Sequence, residues 1–444
     1  MRSHFSSGLL AGALAGASAR WRIAWLGFAM LTPLAFATYM LSPFLVMLSA
    51  AIAGAIAAAA VLWGTFPFMR VLEFLNIALT AMLWGIVFGI AAWAWPANSP
   101  SWGLLIVPAS AVLVSLVPGI VFGRQAVPLL RTQERALAIV HIARLGHELV
   151  VVALLGLAAS LPVLLGAQGP VSSGTLVPTG VGLAILVGTL FFGARSRGTS
   201  VRCQESRPSL RVGAVAVDRP PRTGGMFATM TSGEVADVIG AYAPRVAEAA
   251  ARGARVIVMP EMAAVVGGPD VSRWRLQLSE WAQAARAIIV AQYFDTDQRR
   301  NILVIVSERG EILATYDKQH PVRGIEQGPP AKMPPAFHEG VAAVSGVICY
   351  DLDYGDWVRP VARRGGILAA PSNDWKEVAD AHNRVTVWAA VLGGVPIIRA
   401  TTHGISSIFD AAGRMIAHAS SFDGPVVLVA DVPIDMDTPS AASL

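Results

Sequence analysis

The sequence predicts a multi-pass α-helical membrane bundle followed by an α/β domain, on three observations. Charged residues make up only 14% of the chain and mean hydropathy is +0.56, against roughly 25% charged residues in a soluble protein. The shortage is uneven: the first 200 residues hold long apolar runs with little charge, and the remainder reads as an ordinary globular domain. That remainder alternates β-rich runs with amphipathic helical stretches. The 444 residues divide accordingly into a transmembrane helical domain over 1–193, a linker over 194–208, an α/β domain over 209–434 and a polar tail over 435–444.

Six apolar segments are each long enough to cross about 30 Å of hydrocarbon: 22–40, 42–63, 71–95, 102–122, 147–167 and 175–193. Residues 5–19 are apolar but short, and would make a seventh span only if counted generously. Ala17-Ser18-Ala19 resembles a signal-peptidase site, although longer spans follow it. Trp63, Trp93, Trp95 and Trp102 sit at segment ends, where interfacial aromatics collect. One set of loops carries Arg20, Arg22, Arg70, Arg124, Arg131, Arg135 and Arg144. The opposite set, around 41, 96–101 and 168–174, carries no Lys or Arg. The positive-inside rule puts the arginine loops in the cytoplasm, and with six spans the α/β domain lies there too.

In the second half, Arg211 to Val217 reads as a strand and Ser232 to Arg252 as a helix with an apolar stripe from Val235 to Ala249. Strands over 254–259 and 287–293 flank a helix over 271–285. Ile302 to Val306 and Ile312 to Tyr316 form a hairpin around Glu308-Arg309-Gly310-Glu311. Helices are expected over 354–364 and 376–392, and a last strand over 425–432. Two cysteines, Cys203 and Cys349, provide no disulfide framework. The net charge of +5 comes largely from arginines near the apolar segments, with no basic and aromatic groove for nucleic acid.

The chemistry centres on Ser345-Gly346-Val347-Ile348-Cys349-Tyr350-Asp351, a strand delivering a thiol to a tight turn. A free thiol has a pKa of about 8.5, so a nucleophilic cysteine needs a base or a cation beside it. Two upstream strands end in such groups: Val256 to Pro260 runs into Glu261, and Ile312 to Asp317 runs into Lys318. Glu261, Lys318 and Cys349, in that order, resemble the nitrilase superfamily of carbon–nitrogen hydrolases. Glu326, eight residues after Lys318, stands where that family has a second glutamate. Ser372-Asn373-Asp374-Trp375, Pro396 to Thr401, Gly404-Ile405-Ser406 and Phe409 to Arg414 look most like the membrane branch, the apolipoprotein N-acyltransferases. The resemblance covers about residues 209–434. It implies a nitrilase-like α-β-β-α sandwich for this part of the chain, and a catalytic domain on the periplasmic side, against the loop charges.

The resemblance also assigns roles. Cys349 is the nucleophile, Glu261 the general base and acid, and Lys318 the cation beside the oxyanion. Glu326 orients the lysine or shares the base role. Tyr350, whose N–H directly follows the nucleophile, Asn373 and Trp375 are the candidate oxyanion and substrate-binding residues. The reaction needs neither metal nor cofactor. His320, His382 and His403 lack ligand spacing and read as structural. Asp351 and Asp353 read as solvated or capping carboxylates.

Three departures set the chain apart from the N-acyltransferase branch. Only 31 positions separate Lys318 from Cys349, and the segment Gly328 to Pro335 is short and proline-rich where that branch has an apolar arm. The tail Asp435 to Leu444 is polar where that branch continues into a span. The loop charges point to the cytoplasm. The chain also looks like the TraB-type conjugal-transfer proteins, short relatives of this branch. The leading expectation is acyl transfer through a Cys349 thioester, from a membrane lipid to an amine or lipoprotein acceptor, in a bacterial inner membrane. The alternatives are a membrane-tethered amide or nitrile hydrolase and a non-enzymatic member of a transfer machine. The intact set of ionisable residues argues against the last.

Overall fold

The computed structural model describes residues 9–434 except 15–16, 18–28, 64–69, 97–98, 123, 125–126, 132, 167–172, 218–225, 323–325, 327–336, 339–342 and 363–365. The chain forms two compact units, Met1–Thr199 and Ser200–Leu444. The polar tail, the proline-rich segment 328–335 and most of the candidate span 5–19 lie outside the described residues.

The first unit is helical. Its described helices include α1 (Thr32–Met40), α2 (Pro43–Leu62), α3 (Arg70–Ala94), α4 (Gly103–Phe122), α5 (Leu149–Gly166) and α6 (Ser173–Glu205). Proline at the first turn starts α2, where its missing N–H costs nothing. Within the alanine-rich run, Ala50, Ala53, Gly54, Ala57 and Ala58 form one packed face of that helix, and a Cβ on Gly54 would stand 2.8 Å from the Trp84 ring of α3. Small residues thus let the two helices approach closely.

Among the described residues, four helices are long and apolar enough to cross a membrane. A fifth candidate is broken: Leu137–Leu145 and Leu149–Leu165 meet at 111°. Of the six expected segments, 42–63, 71–95, 102–122 and 175–193 correspond to the four long helices. The 147–167 segment belongs to this bent pair, and of 22–40 only the part from residue 29 is described, with α1 inside it. The expected linker 194–208 is not a loop over most of its length, because α6 continues through it to Glu205. Its Arg, Ser and Gly residues break the apolar pattern without breaking the helix. At 33 residues α6 is about 50 Å long, well beyond the hydrocarbon thickness.

The second unit is built on two sheets. One orders its strands β13-β1-β2-β4-β5-β6, from β1 (Ser209–Ala216), β2 (Val256–Val258), β4 (Ile288–Asp295), β5 (Arg300–Val306), β6 (Ile312–Asp317) and β13 (Val426–Pro433), with β3 (Ala264–Val266) pairing β4. The other runs β12-β11-β10-β9-β8-β7, from β7 (Phe337–His338), β8 (Val344–Gly346), β9 (Ile367–Asn373), β10 (Ile397–Thr402), β11 (Ile405–Phe409) and β12 (Met415–Ser420). Val212, Val256, Val290 and Leu303 of the first sheet pack with Ile367 and Ile398 of the second in one buried core. Central strands are buried on both faces, as parallel pairing between helices and a second sheet requires.

Helices cover the outer faces. α7 (Ser232–Ala251) starts at a capping box, in which Thr231 accepts from the Glu234 N–H and the Glu234 side chain accepts in return. Its stripe Val235, Val238, Tyr242, Val246 and Ala249 is buried against the first sheet with Trp274 of α8 (Pro269–Ala285). α9 (Gly355–Ala362) and α10 (Lys376–Gly393) belong to the second sheet's side, and α10 ends at Gly394 in the left-handed region, φ 70°. The order helix, sheet, sheet, helix is the expected sandwich. The sheet-edge strand β12 has no strand signal in Met415-Ile416-Ala417-His418-Ala419-Ser420, and its register with β11 is held by antiparallel pairing from Ile405 to Phe409.

Candidate active site

Sheet ends bring the candidate residues together. Glu261 stands three residues beyond β2, and its backbone N–H donates to the Ser372 carbonyl of β9 at 3.2 Å, joining the two sheets there. Lys318 directly follows β6, and its N–H donates to Asn301 of β5 at 3.1 Å. Cys349 opens a 3-10 turn, Cys349–Asp353, after β8. Asn373 is the last residue of β9.

Lys318 Nζ lies 2.8 Å from Glu261 Oε1 and 2.5 Å from Glu326 Oε1, with all three side chains at most 8% exposed. Asn301 Nδ2 donates to the same Glu261 oxygen at 2.9 Å, and Gln292 bridges Asn301 and the Met262 N–H. Glu326 is itself fixed by the Val322 N–H at 2.8 Å. Burial opposes charge on Lys318, but Glu261 and then Glu326 outweigh it, so the ammonium holds its proton far above the ordinary range. Burial pushes the Glu326 carboxyl up to about 7; Lys318 pulls it down and Glu261 adds to the rise. One cation between two buried carboxylates leaves a surplus negative charge, and a site that releases or takes a proton near neutral pH.

Cys349 is 5% exposed and has φ +48°, a left-handed conformation that costs a residue with a Cβ roughly 1–2 kcal/mol. Met262, directly after Glu261, has φ +55°, and His403, beside Asn373, has φ +51°. Such strain gathers at functional sites. Burial, then Glu261, pushes the thiol up to about 11; Lys318 and His382 pull it down. The thiol therefore rests protonated and needs a base in order to attack. Sγ donates to the Asn373 carbonyl at 3.7 Å.

Asp351 is fully buried. Its Oδ2 accepts from the Ile348 N–H at 3.0 Å and the Tyr316 hydroxyl at 2.7 Å, and its Oδ1 accepts from the His320 N–H at 2.8 Å. It caps the turn that carries the nucleophile. Of the two expected roles, solvated or capping, Asp351 takes the capping one, and neither Asp351 nor Asp353 is solvated, since both are buried. His320 stacks on Tyr354 at 3.8 Å between centroids and contacts Asp351 at 2.9 Å, so it supports the same turn. Tyr350 and Trp375 are half-buried, Tyr350 in the turn and Trp375 capping α10. The Asn373 amide faces the sulfurs of Met262 at 3.8 Å and Met226 at 3.9 Å.

The sequence reading missed one group. His382 of α10, expected to be structural, lies beside Cys349: Cys349, Asp374 and His382 place one ligand-type atom each within 4.8 Å of one another. His382 Nδ1 is 2.7 Å from Asp374 Oδ1, and Arg399 Nη2 is 2.7 Å from Asp374 Oδ2. The spacing would suit a metal ion, but both Asp374 oxygens are already engaged by His382 and Arg399, which accounts for the cluster as a hydrogen-bonded network. No spacing signal marked it, because Asp374 lies before the N-cap Trp375 and His382 lies inside α10.

Residues 229–438 match the carbon–nitrogen hydrolase family. An apolipoprotein N-acyltransferase of Geobacter metallireducens is 26% identical over 190 residues, covering 36% of this chain and 36% of that protein. The match thus spans about a third of that relative's length. An amidase from Nesterenkonia sp. superposes with a TM-score of 0.44 at 20% identity, over 53% of this chain and 94% of that one. A cysteine-to-alanine variant of a Nesterenkonia sp. AN1 amidase in complex with butyramide gives 0.45 at 21% identity, over 51% and 94%. Residues 229–438 thus carry a carbon–nitrogen hydrolase domain, and the chain resembles enzymes that use cysteine-based catalysis.

Proposed function

We propose that the protein is a membrane-embedded acyltransferase that carries an acyl group from a lipid donor to an amine as a thioester on Cys349. One observation carries this reading: a single chain joins the buried Glu261–Lys318–Cys349 site to four helices of membrane-crossing length. A small water-soluble substrate gives no reason for such helices.

Glu261 takes the Cys349 proton, and the thiolate attacks the ester carbonyl of the lipid. Lys318 and the backbone N–H of Tyr350 hold the oxyanion. Collapse expels the lipid alkoxide, which takes its proton from Glu261, and leaves the thioester. An amine then attacks the thioester, Glu261 accepts its proton, and the amide departs as the leaving thiolate takes that proton from Glu261, restoring the thiol and the carboxylate. Glu326 shares the proton held around Lys318. Asn373 and Trp375 line the substrate side.

A second reading is favoured by the 31 positions between Lys318 and Cys349, too few for a large acyl-chain cover. It makes the protein a membrane-tethered amide or nitrile hydrolase, with water in place of the amine. The enzyme sits in a bacterial inner membrane, and the arginine loops favour a cytoplasmic catalytic domain; a phosphatase fused after Leu444 that proves active would place it in the periplasm instead.

Intact mass of protein purified from membranes, before and after neutral hydroxylamine, separates the readings. A hydroxylamine-labile fatty-acyl increment on wild type, absent from Cys349→Ala, supports acyl transfer. Unmodified Cys349 in a protein that turns over small amides in detergent overturns it.

A further inference from the structure

His382 is 4% exposed, and the contacts around it fix the ring. Nδ1 lies 2.7 Å from Asp374 Oδ1 and 3.0 Å from Arg399 Nη2. The carboxylate contact is the shorter and requires a proton on Nδ1. Nε2 lies 3.2 Å from Asp353 Oδ2, an ion-pair contact, and makes no hydrogen bond of regular geometry among the described residues. A buried ring nitrogen without a regular hydrogen bond is free to direct its charge at a second neighbour. The neighbour is the nucleophile, whose sulfur is within 4.8 Å of the ring.

We infer that His382, as an imidazolium fixed between Asp374 and Asp353, is a second positive partner of the Cys349 thiolate, in addition to Lys318. It acts as a positioning and electrostatic residue: the thiol proton goes to Glu261, and no proton or bond changes on His382. Burial opposes charge on the ring, but Asp374, and then Cys349, outweigh it and hold the proton well above the ordinary histidine range. The groups that act on Sγ are Glu261 after β2, Lys318 after β6 and His382 on α10. Those that act on the ring are Asp353 of the 3-10 turn, Asp374 after β9, Arg399 of β10 and Cys349 itself. Two cations are needed because Glu261 and burial both push the thiol up, and Lys318 is already shared between two carboxylates.

The inference rests on Cys349 being the nucleophile but not on what it carries, and the test uses no acyl donor. The rate of Cys349 alkylation by iodoacetamide is measured against pH on the full chain in detergent, in a Cys203→Ser background. His382→Asn keeps an amide for Asp374 and removes the charge. It should move the thiol's ionisation up by about one unit or more, so that alkylation below that pH falls about tenfold. His382→Gln is a second neutral variant should the first not fold, and melting curves report folding. His382→Lys restores a charge without the ring, and its profile should lie nearer the wild type than that of either neutral variant. A merely structural role would disturb the lysine variant at least as much. A folded neutral variant whose profile superposes on the wild type overturns the inference, as does a lysine variant no nearer the wild type than the neutral ones. Loss of fatty-acyl transfer with this profile intact would count against the lipid reading alone.

Discussion

Two charged groups meet at Cys349, and they are balanced differently. From the first sheet, Lys318 stands between two carboxylates, Glu261 at 2.8 Å and Glu326 at 2.5 Å. From the side of the second sheet, His382 and Arg399 share Asp374, with Asp353 beside the ring at 3.2 Å. The first group has one more acid than base, and Glu326 is pushed up to about 7 as a result of burial and of Glu261. The second group pairs each cation with an anion. A surplus carboxylate makes the first group a place where protons come and go; a matched set makes the second a fixed field. Removing groups one at a time tests this division.

The largest effect should come from the atom both groups serve. Cys349→Ala should abolish turnover while the domain still melts cooperatively, because one small side chain contributes little packing. Wild-type turnover in that protein would end the comparison. Cys203→Ala, on an exposed part of α6, should change nothing.

Lys318→Met comes next. It removes the oxyanion's cation, worth about 10²–10³ in rate, and leaves two buried carboxylates without their counter-charge. Cys349 acylation should slow by that factor, and Lys318→Arg should recover only part of it, since a planar guanidinium does not replace a point charge. An unchanged acylation rate in the methionine variant would remove Lys318 from the mechanism.

The matched group should respond in stability more than in rate. Arg399→Met breaks a pair whose side chains are 0% and 1% exposed, and breaking a buried pair costs about 3–5 kcal/mol. Denaturant unfolding measures this. A loss below about 1 kcal/mol would mean that Asp374 finds another partner and that the fixed-field description fails.

The smallest effect is in pH dependence. Glu326 is protonated below about pH 7 and ionised above it, so a rate that needs the surplus carboxylate should rise as pH increases through 7. Glu326→Gln should flatten that limb while leaving the plateau within about tenfold. A limb that survives the substitution does not belong to Glu326.

How much of this could be read from the sequence depended on where each residue sits. Glu261, Lys318 and Cys349 follow β-rich runs directly, and the change from apolar strand to ionisable residue marks them. Asn373 was legible in the same way, at the end of β9. His382 was not, because it lies inside α10, where a polar residue among Val378, Val385 and Trp388 fits an ordinary amphipathic helix and its direction depends on tertiary packing. Asp351 and Asp353 read as solvated or capping because acidic residues after a strand usually are one or the other; Asp351 does cap its turn, and the burial of both follows from the turn closing on Tyr316, His320 and His382. The extent of α6 was underestimated for a related reason: charge ends a membrane span without ending a helix.

The left-handed backbone at Cys349 sets folding against use. Glycine is the one residue that adopts φ +48° without a Cβ penalty, so judged by local backbone preference alone glycine would suit position 349 better than cysteine. A chain free to optimise its thermal tolerance would drift toward glycine there, and the enzyme would be silenced by an improvement in its fold. The thiol is retained at this corner only while the reaction is needed.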